Sequence, residues 1–274
     1  MKRMFLALTA GVLALSILAG CGGAKPAAEA PAAEKPAAEK PAEKSATPTI
    51  DRIKKEGKLV IGTSPDYPPY ESLDKDNKVV GFDIDIMQEV ANKLGVKLEI
   101  EQMAFGGLLA ALQAGKFDIM AAGVSVTEER KKAVDFSDPY IVGSNAVVVH
   151  QDFTGTISKL EDLAGKKVAV QLGTVQAEAV AKVNGATVKE YNLFTEAASA
   201  VSSKQADAMF ISGFVAKSFV KADPNLKVVW ETPADDTAYA LRKDTPDLTK
   251  VVNEVLAELK QSGKMDQLIN KWFK

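Results

Sequence analysis

The segment spanning residues 117–140, FDIMAAGVSVTEERKKAVDFSDPY, sets one arginine in the first turn of a helix. It reads as a strand, a small-residue turn, a capped helix and an aromatic-proline turn. Helix N-termini carry partial positive charge and favour acids, as Glu128 and Glu129 supply, so Arg130 beside them is electrostatically unusual. A cation placed there either pairs locally with a glutamate or collects a negative group. Arginine suits the second role, because its planar fork holds a carboxylate through two hydrogen bonds. Three more loops carry groups able to contact a small solute. IGTSPDYPPYE (residues 61–71) presents Ser64, Asp66 and Tyr67 on a proline-stiffened turn. Phe105 precedes Gly106 and Gly107, and QLGT runs from Gln171 to Thr174. Tyr67 and Phe105 are either stacking walls or core aromatics. Thr174 opens a helix whose free N–H groups suit an anion.

These loops need a scaffold, and the chain supplies alternating strands and helices. LVIGT is a short apolar strand. Ile86, Val90 and Leu94 share one face of a helix that Gly95 ends. KLEIEQM alternates like a strand, LLAALQAG is a helix ended by Gly115, and FDIMAAG is the next strand. Thr127 caps the helix carrying Arg130. Ser158 and Glu161 have capping-box spacing before a helix that Gly165 ends. KKVAVQ is another strand, and Thr245-Pro246 reads as cap and first position of a long final helical region. The alternation predicts an α/β fold with parallel sheets. LLAALQAGKFDIMAAG and AASAVSSKQADAMFISG are loosely alike. Either two lobes share one build, or α/β chains simply yield such matches.

Composition narrows the function. The 274 residues carry a net charge of −2, with 46% hydrophobic and 26% charged residues, as in an ordinary globular protein. Nothing argues for nucleic acid, whose binding needs clustered cations. One His excludes a multi-histidine metal site, and one Cys excludes an intramolecular disulfide. No metal or cofactor is expected.

The lone Cys21 closes the string Leu18-Ala19-Gly20-Cys21 behind a basic start and a short apolar run. Residues 1–20 read as a secretory signal, too short for a spanning helix. The junction resembles a lipobox, in which Cys21 becomes an acylated N-terminus bearing palmitate-type chains; the alternative is a plain signal with an incidental Cys. Residues 21–50 repeat PAAEK and PAEK, and proline every five residues prevents a stable helix, so this stretch is expected to be an extended tether.

Taken in order, the motifs resemble the polar amino-acid family (family 3) of solute-binding proteins, the extracytoplasmic receptors of ABC importers. Besides the segments above, VGFDIDIMQEVANKL (80–94), LEDLAGKKVAVQLGT (160–174), ADAMF (206–210) and NKWF (270–273) carry it, and it covers the chain from about Leu59 onward. The resemblance implies a two-lobed periplasmic-binding-protein type II fold, with a sheet in each lobe and two crossing segments. Lobe 1 would be residues 51–143 plus 238–274, and lobe 2 residues 144–237. It further implies a monomer that closes over a small solute by a hinge and delivers it to a permease, held at the membrane by Cys21. In that frame Tyr67 and Phe105 wall the solute, Gly123 and Ser125 offer backbone and hydroxyl groups, and Arg130 holds a carboxylate. Gln171 and Thr174 face it from lobe 2, so that Arg130 and the helix opened by Thr174 would clamp one carboxylate on closure.

Two positions depart from the family pattern. Ser212 stands where an acid commonly pairs with the α-ammonium, and Ser64 replaces a second acid. A desolvated ammonium without a carboxylate is costly. The expectation is therefore weak binding of ordinary amino acids and stronger binding of another carboxylate, unless Asp66, Glu71, Asp235 or Asp236 replaces the lost charge. A cyclohexadienyl dehydratase-like lyase on the same fold is the alternative activity, needing a general acid that the loops offer only at Asp66.

Overall fold

Residues 45–274 are described by the computed structural model. The signal segment, Cys21 and most of the tether lie outside the described residues. Among those described, no helix is long and apolar enough to cross a membrane.

Helix α1 (Pro48–Glu56) begins inside the stretch expected to be tether. Pro48 fills a first-turn position where its missing N–H costs nothing. Asp247 Oδ2 then accepts the free N–H groups of Thr49 and Ile50 at 2.9 and 3.0 Å, so a residue about 200 positions away sets the boundary. Strand β1 (Lys58–Thr63) follows, then β2 (Asp66–Tyr67), β3 (Glu71–Leu73) and β4 (Val79–Val80), three short antiparallel strands. Gly81 turns the chain into α2 (Phe82–Leu94). Its φ is +150°, and a Cβ there would stand 2.0 Å from the Tyr70 carbonyl oxygen, so no other residue fits. Helix α2 buries Ile86, Val90 and Leu94 as their spacing predicts, and stops at Gly95 in the left-handed region.

The chain continues through β5 (Lys97–Gln102), α3 (Phe105–Gln113), β6 (Ile119–Met120), the short α4 (Glu128–Ala133) and β7 (Asp135–Phe136). It crosses over to β8 (Ser144–His150), β9 (Lys167–Gln171), α5 (Val175–Ala181), β10 (Thr187–Tyr191), α6 (Phe194–Ser202), β11 (Ala208–Ser212), α7 (Gly213–Ala222) and β12 (Leu226–Pro233). It then crosses back to β13 (Ala240–Leu241), α8 (Pro246–Gln261) and α9 (Lys264–Phe273).

Two five-stranded sheets result, ordered β5-β1-β6-β13-β7 and β10-β9-β11-β8-β12. In each, three neighbouring strands are parallel, as a strand-helix alternation dictates. The other two are antiparallel to a neighbour, because β13 and β8 are entered from the crossing segments rather than from a helix. The crossings themselves pair: Tyr140 N donates to Thr237 O, and Thr237 N donates to Ile141 O, both at 3.0 Å.

Two local expectations change. Asp162, not Glu161, reaches back to Ser158, accepting its N–H at 2.8 Å and its hydroxyl at 3.0 Å. Thr245 precedes α8 but does not cap it; its hydroxyl donates to Arg242 O at 2.7 Å, and Gly263 breaks the final helical region in two.

Candidate functional site

The C-terminal ends of β1, β6 and β9 face one another, and a narrow cavity of about 10 Å³ lies between them. Ser64, Tyr67, Phe105 and Gly123 line it from the first sheet's side, and Gln171 and Thr174 from the second. Asp66, Glu71, Ala122 and Phe194 complete the lining. Ser125, Arg130 and Ser212 are not part of this lining. Ser125 and Arg130 sit just beyond it, and Ser212 faces the hydroxyls of Tyr67 and Tyr70.

Aromatic rings form the apolar wall. Tyr67 is sandwiched between Tyr70 and Phe194, with ring centroids 5.5 and 5.3 Å away. Gly123 leaves room for this: a Cβ there would come within 2.7 Å of the Tyr67 ring. Phe105 opens α3 and has the Arg130 guanidinium 5.7 Å over its face. Phe194 was not identifiable from sequence. It begins α6 with no local signal that separates a binding aromatic from a core one.

Of the four candidate replacements for the acids absent at Ser64 and Ser212, two reach the cavity. Asp66 and Glu71 are both buried at the cavity, whereas Asp235 and Asp236 are exposed and line no part of it. This removes the ground for expecting weak amino-acid binding. The two carboxyls are not equivalent. Asp66 is occupied: it accepts from Ser64 Oγ at 2.7 Å, from Gln171 Nε2 at 3.1 Å and from the Phe194 N–H that opens α6. Burial nevertheless raises its pKa. Glu71 is only 1% exposed, and neither of its oxygens meets a hydrogen-bond donor. Burial, then the negative charges of Asp83 and Asp66, hold it well above the usual carboxylate range.

Arg130 stands as its local sequence predicts. Thr127 Oγ1 accepts the Arg130 N–H at 3.1 Å and so caps α4. The guanidinium is half-buried and donates to Ser125 O at 2.9 Å and to Gly173 O at 3.0 Å. It forms no ion pair among the described residues, and burial lowers its pKa. The expected clamp differs in one respect. Arg130 meets the turn before α5, but through the Gly173 carbonyl, and Thr174 Oγ1 already accepts the Ala177 N–H at 3.2 Å. The α5 N-terminus therefore has one donor fewer to offer an anion.

Asp66, Arg130 and Tyr67 thus all touch residues from beyond the crossing segments, so the two sheets' loops meet across the cavity. With the two sheets' loops drawn apart, the arrangement can hold a small solute with an anion near Arg130, an apolar stem against the rings and a polar or cationic end at the carboxyls. The chain is similar to several amino-acid-binding proteins. The arginine-binding extracellular protein ArtP of Bacillus subtilis is 35% identical over 223 residues, covering 79% of this chain and 86% of that protein. The structure of holo ArgBP from T. maritima is 40% identical with a TM-score of 0.76, covering 82% of this chain and 99% of that one. The ancestral amino acid-binding protein AncCDT-1, a precursor of cyclohexadienyl dehydratase, is 40% identical with a TM-score of 0.78, covering 82% of this chain and 100% of that one. Residues 59–274, nearly all of the described body, match the family of bacterial extracellular solute-binding proteins, family 3, and the chain belongs to that family.

Proposed function

We propose that this protein captures an L-amino acid with a cationic side chain, arginine first among them, for an ABC importer. Arg130 takes the α-carboxylate, Tyr67, Phe105 and Phe194 pack the aliphatic stem, and Glu71 receives the cation. Ser64, Gly123, Ser125, Gln171, Thr174 and Ser212 shape the rim and offer hydrogen bonds. The observation that carries the reading is Glu71: a buried carboxyl with no donor for either oxygen, lining a cavity walled by aromatics. Buried polar groups are almost always partnered, so a carboxyl left open at a cavity marks the place of a ligand donor. The arginine-binding relatives support the same class.

Glu71→Gln tests it. Hydrogen bonds to charged groups contribute ~1.5–3 kcal/mol. Calorimetry should therefore show L-arginine binding weakened by roughly 10- to 100-fold, with neutral L-glutamine affected less. Equal loss for both solutes would overturn the assignment of Glu71. Binding rather than catalysis is favoured because the relatives are binding proteins and because Asp66, the acid that the sequence offered for catalysis, is occupied by three donors. A new aromatic product from prephenate would reverse that preference.

The placement is a monomer docked by its lobes on a permease and held by acylated Cys21. Support comes from the basic start, the apolar run and the only cysteine of the chain at the junction. Two acyl chains give stable anchoring where one does not. The mature protein, extracted from membranes, should carry a diacylglyceryl mass on Cys21. Release of an unmodified protein into the medium would exclude the anchor.

A further inference from the structure

A second pocket, of about 280 Å³, lies on the outer side of Phe105. Phe105 lines both spaces, whereas Arg130 lines only the outer one. Their sizes differ in a way that matters. The inner cavity, at about 10 Å³, has room for one water at most. The outer pocket stands near the lower end of the ~300–1,000 Å³ usual for small-molecule sites. In the closed arrangement seen here, the space able to take a solute is therefore the outer one.

Its lining is of three kinds. The floor is apolar: Met120 and Val124 are buried there, and Leu109 and Ala133 are half-buried in the same cluster. The second part is Arg130. A guanidinium carries five N–H donors. Arg130 gives one to Ser125 O and one to Gly173 O, and the other three meet no acceptor among the described residues. The third part is Glu178, exposed in the first turn of α5 on the second sheet's side. Its carboxylate has no ion pair and no hydrogen bond among the described residues. Glu129, the remaining charged group of the lining, is already held by Lys132 at 2.6 Å.

We propose that this outer pocket binds a second class of solute, an α-amino acid with an uncharged aliphatic side chain. Arg130 takes its carboxylate, Glu178 its ammonium, and Leu109, Met120, Val124 and Ala133 pack its side chain. A free cation, a free anion and an apolar floor complement the three parts of such a zwitterion. A cationic side chain is unsuited to the same place, because the floor offers no acceptor to a desolvated charge. Glu71 takes no part. Both spaces draw on Arg130, so the protein holds one solute at a time; this exclusion, unlike the outer site itself, rests on the role proposed for Arg130 with the inner solute.

The test is calorimetry of the full-length protein with L-leucine. The wild type should bind it. Ala133→Met keeps a good helix former in α4 but fills the floor, and should weaken leucine by about 5- to 100-fold, the range of an overpacked apolar site, while sparing L-arginine. Glu178→Gln should weaken leucine by about two- to fivefold, as for an exposed ion pair. The same variant should not change binding of isocaproate, which is leucine's skeleton without the ammonium. Glu71→Gln should leave leucine unaffected, and L-arginine should displace leucine one for one. Absence of leucine binding by the wild type overturns the proposal. So does leucine binding that Glu71→Gln weakens and Ala133→Met does not, since leucine would then lie in the inner cavity. Leucine and arginine bound together overturn the shared use of Arg130. Where Ala133→Met fails to fold, the contrast of leucine with isocaproate on Glu178→Gln decides. Failure of arginine to bind would overturn the proposed ligand class of the inner site and leave the leucine series decisive for this one.

Discussion

Arg130→Ala is expected to weaken solute binding by at least about 30-fold while leaving the protein folded. Truncating one partner of a hydrogen-bonded charge pair costs ~2–5 kcal/mol, and the half-buried position of Arg130 places it toward the lower end. The structural loss is small by comparison. Only the bonds to Ser125 O and Gly173 O and the contact with the Phe105 ring disappear, all from a side chain in contact with solvent. At ~1 kcal/mol of stability the melting temperature should move by only about 2–4 °C for a body of this size. Arg130→Lys keeps the charge but loses the fork, and should fall between wild type and alanine. Retention of wild-type affinity in Arg130→Ala, measured by calorimetry with L-arginine, would remove Arg130 from the site. This variant lowers affinity for every solute bearing an α-carboxylate, whereas Glu71→Gln changes their ranking.

Features set within a few residues were legible in the sequence. Gly95 ends α2, and Thr127 caps α4, which sets Arg130 in that helix's first turn. Features set by distant pairing were not. Ser64 and Ser212 correctly marked absent charge, but position-by-position comparison could not say that Glu71 would point into the same cavity from β3. Nor could it foresee Phe194, whose N–H meets Asp66 from 128 residues away. The end of the tether moved for the same reason, since Asp247 completes the first turn of α1. β13 has two residues, too few for a readable alternation, yet it pairs Ala240 with Met120 and Phe136 and makes the first sheet mixed. Ionisation states escape sequence altogether: Glu71 and Asp83 acquire theirs from burial and from one another.

Gly173→Val should weaken binding of all solutes by about 10- to 100-fold although it removes no proposed solute contact. Gly173 has φ +80°, and a Cβ there would stand 2.9 Å from the Gly106 Cα, a backbone atom of the facing lobe. The left-handed conformation alone costs a side chain ~1–2 kcal/mol, most for a β-branched one. The clash is the larger matter, because it falls between the lobes and separating them relieves it. Separation breaks Arg130 to Gly173 O, Gln171 to Asp66 and the stacking of Tyr67 on Phe194 together. A solute that needs both lobes then binds only the residual closed fraction, and its apparent dissociation constant rises by the inverse of that fraction. The penalty is common to arginine and glutamine, and it leaves the solute ranking unchanged. Small-angle scattering supplies the second readout: solute should compact the wild type and fail to compact Gly173→Val. Gly106→Ala provides the graded control. Its Cβ would meet the Leu172 carbonyl at 3.2 Å, and its backbone lies outside the left-handed region, so a few-fold loss is expected. Wild-type affinity and normal compaction in Gly173→Val would mean that the glycine contact does not limit closure. Wild-type affinity without compaction would mean that one lobe alone holds the solute, and the proposed share of the second lobe in binding would fall with it.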